Sequence, residues 1–523
     1  MAHLVVTPIV MPLAVGAVML FLGARRRRWE AGLAIAACAA LLLNAIALVV
    51  LTDADGLSRA YRMGDWPASF AIVLVADRLS ALMLVLAATL GLVSTIFALS
   101  RWSRHGPYFY ALVQFLLMGL NGAFLTGDLF NLFVFFEVLL AASYGLLLHG
   151  SGPLRVKAGL HYIVINLGAS LLFLIGVSMI FGVTGTLNMA VLAERIAAAP
   201  PHPRSLVQVG AAILGTAFLA KAAAWPLGFW LPRTYDAATP PVAALFAIMT
   251  KVGVYILLRL SLLLFGPDAG LSAGFGGEWL FAVGALTIGA GSVGVLAVRD
   301  LGRLGGYNLV ISAGTLLAAI SFGSPAITAG ALFYMMISTL GAAALYLIAG
   351  LIAVERGDEF KGPGRLEDYD PADDGLYTEE DERAVVITAP VGILSAAFLA
   401  ITLMVAGIPP LPGFFAKVAI LIPLMNELGS WEGTLLITLL VAASLVVLIA
   451  LVRAGIQIWW VEGDRLPPAL RLTEIVPVGA LLLLFMVLTV VLQVPLGFAH
   501  RAAAQLHTPS NYVDTVLGAE AAP

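Results

Sequence analysis

Long uncharged apolar runs recur along almost the whole chain, and the charged residues gather in short stretches between them. A helix that crosses a bilayer takes roughly 20 predominantly apolar residues. On that measure the pattern predicts fourteen spans, at about residues 4–23, 30–51, 70–99, 107–126, 129–148, 159–182, 207–226, 239–265, 277–298, 304–321, 326–354, 385–424, 433–458 and 474–496. The twelfth is too long for one crossing, and Gly407-Ile408-Pro409-Pro410-Leu411-Pro412-Gly413 lies in its middle. Proline removes a backbone donor and clashes with the turn before it. The run therefore predicts a discontinuous helix, broken at Pro409, Pro410 and Pro412. Pro226 disrupts the end of the seventh span in the same way.

The loops orient the spans. The first run, Leu4 to Gly23, carries its charges after it, at Arg25 to Arg28. It reads as a retained span with the N-terminus outside, not as a cleaved signal peptide. Loops after odd-numbered spans are then cytoplasmic, and they hold most of the 28 lysines and arginines, Arg101, Arg104, Arg155, Arg299 and Arg303 among them. The outside segments hold only Arg59, Arg62, Arg195, Arg204 and Arg501. This asymmetry is the positive-inside pattern, and it places both termini outside. The acid-rich segment 355–383 falls on the cytoplasmic side, as a solvated connector or a docking surface for a partner.

Composition removes the other classes. The chain is 61% hydrophobic and 11% charged, against about 45–50% and about 25% for soluble domains. A net charge of −3 offers no basic surface for nucleic acid. The single cysteine, Cys38, can form neither an internal disulfide nor a thiolate cluster. The histidines lie at helix ends, loops or termini, so no haem or other cofactor is expected.

Four charges interrupt the apolar runs: Glu137, Lys221, Lys251 and Lys417. Each costs roughly 2.5–3.5 kcal/mol at a helix centre, so such residues face a polar interior and carry function by default. Lys251 lies roughly 18 Å from either end of its span, too deep for its stem to reach water. A fixed ion pair locking two helices is the alternative. Glu137 and Lys221 are natural partners, and how firmly Lys221 holds a proton then depends on whether the pair is closed. A static salt bridge is the alternative there. Lys417 follows the proline break by a few residues, and broken helices near the midplane are where transporters handle ions. Asp77-Arg78 reads as an internal ion pair or helix-orienting element, and Arg259 as a snorkelling side chain. Asp128 and His161 are lesser relay candidates.

Spans seven and twelve are both broken beside a lysine and lie five spans apart. That placement predicts two five-helix repeats, spans 4–8 and 9–13, inverted because five is odd. The expected fold is an all-α integral membrane protein. Its parts are N-terminal helices at 1–106, repeats at 107–265 and 277–458, and a last helix and tail at 474–523.

Several stretches carry a family resemblance: Leu129 to Glu137, Trp225 to Pro232, Thr239 to Leu245, Thr250 to Tyr255 and Gly407 to Lys417. They resemble the antiporter-like superfamily of complex I proton-pumping subunits, membrane hydrogenase subunits and the A-type and D-type subunits of Mrp (multiple resistance and pH) antiporters. Gly182 to Ala190 and Leu231 to Thr239 resemble the D-type branch, called PhaD in potassium-type systems. Where complex I relatives carry histidine and lysine in span eleven, this chain aligns Ser338 and Ala342, and where they often carry histidine in span ten it has Ser312. The resemblance implies a proton relay through Glu137, Lys221, Lys251 and Lys417, crossing between the last two by water, Ser312, Ser338 and Tyr307, or none of them. It implies a bacterial cytoplasmic-membrane complex with the other Mrp-type subunits (A, B, C, E, F and G) that exchanges protons for Na⁺ or K⁺ and maintains pH. No residue is assignable to the Na⁺ or K⁺ site. The alternative is a proton-pumping subunit of a complex I or membrane hydrogenase assembly.

Overall fold

The computed structural model describes residues 3–22, 26–66, 72–355, 389–459 and 471–518. The acid-rich segment, apart from Glu355, lies outside the described residues. Among the described residues, twelve helical stretches are long and apolar enough to cross a membrane, and Phe109–Leu125 and Pro390–Ala406 are shorter apolar helices. The fold is almost entirely helical.

Helices α1 (His3–Leu22), α2 (Arg27–Ala54) and α3 (Arg78–Ala98) lead in. Between α2 and α3 stands an antiparallel hairpin, β1 (Arg59–Arg62) and β2 (Val73–Ala76), in register Arg59↔Ala76. Val73 to Ala76 were expected inside a helix. Three physical facts favour the strand. The run is short and partly β-branched, Gly127 donates to the Val73 carbonyl at 2.8 Å, and Asp77 starts α3 with a capping box to Ser80.

Next come α4 (Phe109–Leu125), α5 (Leu129–Leu147), α6 (Pro153–Thr184), the short α7 (Met189–Ala197) and α8 (Pro201–Lys221). Asp128 caps α5 by accepting from the Phe130 and Asn131 amides at 2.8 and 2.9 Å. Helix α8 ends at Lys221, and the chain resumes in α9 (Leu231–Ala237), α10 (Pro240–Phe246) and α11 (Met249–Leu264). Within span eight the helical hydrogen bonding is interrupted at Ala247 and Ile248, although both keep helical φ/ψ and the span does not unwind. From Met249 to Leu264 every residue but Ser261 is buried, so this segment is the centre of the molecule.

The second half holds α12 (Gly277–Ala297), α13 (Leu301–Ile320), α14 (Pro325–Glu355), α15 (Ala389–Ala406), α16 (Pro412–Leu424) and α17 (Trp431–Trp459). The expected break in span twelve separates α15 from α16. Around the buried centre, α6, α12, α17 and α18 (Leu472–Val490) expose large apolar side chains such as Leu171, Val293, Leu445 and Leu483, as a lipid-facing perimeter does. The tail is structured too: α19 (Gln493–Leu506) and α20 (Ser510–Leu517) fold back over α14, α7 and the hairpin.

Two expectations about charges need correction. Asp77 and Arg78 do not pair with each other. Asp77 meets Arg259 of α11 at 2.8 and 2.9 Å, and Arg78 meets Asp53 at 3.0 Å. Arg259 therefore does not snorkel; it is 4% exposed, because a buried carboxylate 182 residues away offers two parallel hydrogen bonds. This cluster marks the hairpin side of the molecule. The opposite end, the loop side, is closed by Glu474 of α18, which accepts from Ser100 at 2.6 Å and Arg101 at 2.8 Å.

Candidate functional site

Three lysines and a glutamate form three separate clusters of polar contacts within the apolar interior, one around each lysine. Glu137 projects from α5 and Lys221 is the last residue of α8. They meet through Ser170 of α6, which donates to Glu137 Oε1 at 2.5 Å and accepts from Lys221 Nζ at 3.3 Å. A hydroxyl has one donor and two acceptor positions, so Ser170 can serve both neighbours at once. The Lys221 ammonium also stands 4.8 Å from the centroid of the Phe136 ring, a cation–π contact. Glu137 itself is half-buried.

The α8 break lies directly beyond Lys221. Ala223 adopts a left-handed φ of 56°, and the Trp225 amide freed by the break donates to Thr287 of α12 at 2.9 Å. Helix α11 packs on this end of α8 so closely that a Cβ at Gly253 would lie 2.8 Å from the Phe218 carbonyl oxygen. Gly253 is two residues from Lys251, and that contact joins the first lysine's helix to the second's.

Lys251 is fully buried. It sits in the first turn of α11, just past that interruption, and donates to Ser312 Oγ of α13 at 2.6 Å. Ser312 donates on to Ser338 of α14 at 2.9 Å. Lys251 thus has a hydroxyl where the fixed-ion-pair alternative requires a carboxylate. Tyr334 also hydrogen-bonds Ser312.

Lys417 lies in α16. Its ammonium donates to the Ala406 carbonyl at 2.7 Å and to Ser444 Oγ of α17 at 2.8 Å. The first of these satisfies a carbonyl that the α15 break leaves without a helical partner. Gly407 turns the chain there with φ 77°. Helix α14 links this station to the last: Gly341, three residues past Ser338, packs against Val405 and Met404 of α15.

The remaining candidates lie outside these clusters. Tyr307 rests its ring on Gly294 of α12. Asp128 is engaged as the α5 cap, and His161 is an exposed α6 residue whose Nδ1 meets the Lys157 carbonyl at 2.8 Å. Pro226 and Pro409 to Pro412 stand at the two expected breaks. Sequence reasoning did not single out Ser170 or Ser444. Their one signal is a hydroxyl in an apolar run facing a buried charge.

The family model for NADH:quinone oxidoreductase/Mrp antiporter membrane subunits matches residues 126–447, which hold all four charged stations. A protein of Rhizobium meliloti described as the D subunit of a probable K(+)/H(+) antiporter is 46% identical over 99% of this chain and 98% of its own length. The chain belongs to the family of Mrp-type antiporter D subunits. The D subunit of an Alkalihalophilus pseudofirmus Na(+)/H(+) antiporter is 34% identical over 99% of this chain and all of its own. Among solved structures, a chain of the Mrp complex from Dietzia sp. DQ12-45-1b superposes with a TM-score of 0.85, at 28% identity and 99% coverage of both chains. In this Mrp-type protein, each of the three lysines donates to a serine; Lys221 and Lys417 stand beside helix breaks, and Lys251 beside a local interruption of helical hydrogen bonding.

Proposed function

We propose that this chain is the proton-conducting D subunit of a cation/proton antiporter, assembled with other Mrp-type subunits in a bacterial cytoplasmic membrane. The observation that carries this reading is the repeated unit of buried lysine and serine hydroxyl at an interruption of helical hydrogen bonding, at Lys221, Lys251 and Lys417. A proton held at Lys221 beside Glu137 passes to Lys251, then by Ser312 and Ser338 towards Lys417. Proton flow along this route drives Na⁺ or K⁺ out of the cell through coupling to the sister subunits. The relatives' names include both cations. We read residues 107–265 and 277–458 as inverted repeats, supported by a broken helix beside a lysine in each. They are not equivalent: the first holds Glu137 and Lys251 as well, and Lys221 precedes its break whereas Lys417 follows.

The test is Lys251. Lys251→Ala carries no proton, whereas Lys251→His still loads and unloads one with a lower-pKa group. In everted vesicles from about pH 6 to 9, which brackets these groups, we expect Ala to abolish antiport and His to retain part of it with an optimum at lower pH. Equal behaviour of the two variants, normalised to assembled complex, rejects the relay. The family model spans quinone oxidoreductase subunits as well, so a proton-pumping redox subunit is the second reading. Flavin or iron–sulfur subunits co-purifying with the chain would favour it.

A further inference from the structure

On the loop side a cavity of about 420 Å³ opens between α9, α13, α14 and α17. Two carboxylates stand at its wall. Asp236 ends α9, and Asp300 caps α13 by accepting from the Arg303 amide at 3.1 Å. They face each other across Gly302, where a Cβ would lie 2.3 Å from one Asp236 oxygen and 3.2 Å from one of Asp300. Two carboxylates this near each other disfavour both being ionised at once, so one of them is readily protonated. A second, independent feature points into the same space. Tyr346 of α14 lines the cavity, is 3% exposed, and its hydroxyl has no hydrogen-bond partner among the described residues.

One face of α14 runs from the cavity to the middle of the membrane. Ser338, Ala342 and Tyr346 follow one another at four-residue spacing, so they lie on one face of α14. Ser338 is two hydrogen bonds from Lys251, and Ala342, with only a methyl group, occupies the intervening turn. A second connection runs through α9: Tyr235, also in the cavity wall, donates to the Phe246 carbonyl at 2.9 Å, at the interruption just before Lys251.

The other direction is closed. On α11, Tyr255 and Arg259 continue the Lys251 face at the same four-residue spacing. Tyr255 donates to the Phe124 carbonyl at 2.5 Å and accepts from Arg259, which is locked to Asp77. A fixed, buried guanidinium opposes the passage of another positive charge.

Resting on the relay reading above, we propose that this cavity is the loop-side proton port of Lys251. Asp236 and Asp300 hold one proton between them, and Tyr346 and Ser338 connect them to the lysine. The step is a proton transfer alone: the Lys251 ammonium gives up a proton, the carboxylate pair accepts it, and the pair releases one to loop-side water. The groups facing the pair are Arg303, 3.1 Å from Asp236, Arg299 beside Asp300, Arg155 of α6, Tyr235 and Tyr346, with Gln457 from α17. Burial, and then the hydrogen bond and charge of Asp300, push the Asp236 carboxyl up to about 7 against the opposing pull of Arg303. It can therefore exchange protons near neutrality.

The experiment uses the assembled complex in everted vesicles, whose loop side faces the medium. Asp236→Asn with Asp300→Asn should lower antiport about tenfold or more in dilute buffer, as loss of a positioned proton carrier does. Raising an impermeant buffer of neutral pKa in the medium should restore most of it and leave the unaltered complex unchanged. Ala349→Cys, in the cavity wall, should be blocked by an impermeant thiol reagent from the medium. Normal transport in dilute buffer, a loss that buffer does not relieve, or an Ala349→Cys complex insensitive to the reagent each overturns the port. Should the double variant fail to assemble, Asp236→Asn alone carries the same buffer test. Lys251→Ala in the same vesicles separates the two ideas: normal transport there removes the relay itself, whereas its loss beside a buffer-insensitive double variant removes only the port.

Discussion

At the residue scale, a hydroxyl stands beside every charged station. Ser170 is the one described contact through which Glu137 and Lys221 meet. Ser170→Ala should slow antiport about fivefold, the equivalent of one ordinary hydrogen bond of about 1 kcal/mol. Glu137→Gln should cut it much further, since it removes the charge that Lys221 senses, and neither change should affect assembly. Comparing vesicle antiport per assembled complex checks this; an unaffected Ser170→Ala beside an inactive Glu137→Gln would mean that the pair communicates without the serine. The charged stations were legible in the sequence because an unpaired charge in an apolar run is too costly to be incidental. Ser170 and Ser444 were not, because a serine in a membrane helix commonly satisfies itself on its own backbone. Ser444 does so as well, donating to the Leu440 carbonyl at 2.7 Å.

At the scale of elements, the breaks place the lysines. Gly407 is left-handed, and a Cβ there would stand 2.7 Å from Lys417 Cδ. Gly407→Ala should therefore strain the turn by about 1–2 kcal/mol and displace Lys417 from the Ala406 carbonyl. Antiport should fall sharply, while Gly289→Ala, which meets nothing within 4 Å, leaves it intact; equal activity in both vesicle preparations would show that the turn tolerates a side chain. Proline announced the two breaks. The interruption at Ala247-Ile248 has no breaker residue of its own, and only the packing of neighbouring helices could disclose it. The hairpin was hidden for a related reason: a short apolar run reads alike as strand or helix until its hydrogen-bond partners are known.

The tail is also an element with a test. His507, at the end of α19, meets Thr328 of α14 at 3.1 Å, and burial holds its imidazole below the usual value. The undocked tail therefore binds protons more readily than the docked one. Docking should be fully stable above the free histidine value of about 6.5 and weaken as pH falls through it. Hydrogen exchange of residues 493–517, corrected for intrinsic rates, should rise between about pH 7.5 and 5.5, and His507→Gln should remove that dependence. A tail equally protected at both values would show that the imidazole takes no part.

At the scale of the whole molecule, successive crossings alternate between the hairpin side and the loop side, and the acid-rich segment connects loop-side ends. A cysteine introduced by Gly375→Cys should react with an impermeant thiol reagent in everted vesicles and not in intact cells. Cys38, the single native thiol, is buried and stays silent. Labelling from outside intact cells would reverse the orientation. The positive-inside charges make the cytoplasmic side the expected one from sequence, whereas the Asp77–Arg259 lock, formed across 182 residues, was beyond any local pattern.

The serine bridges have one further consequence. An ammonium has no lone pair, but once a lysine has given up its proton the amine can accept, and the serine hydroxyl beside it can then donate where it had accepted. On the relay reading proposed above, serines that exchange roles in this way favour neither sense of travel at the three lysine stations. On that reading the same molecule should run backwards when the ion gradients are reversed, its direction set by those gradients.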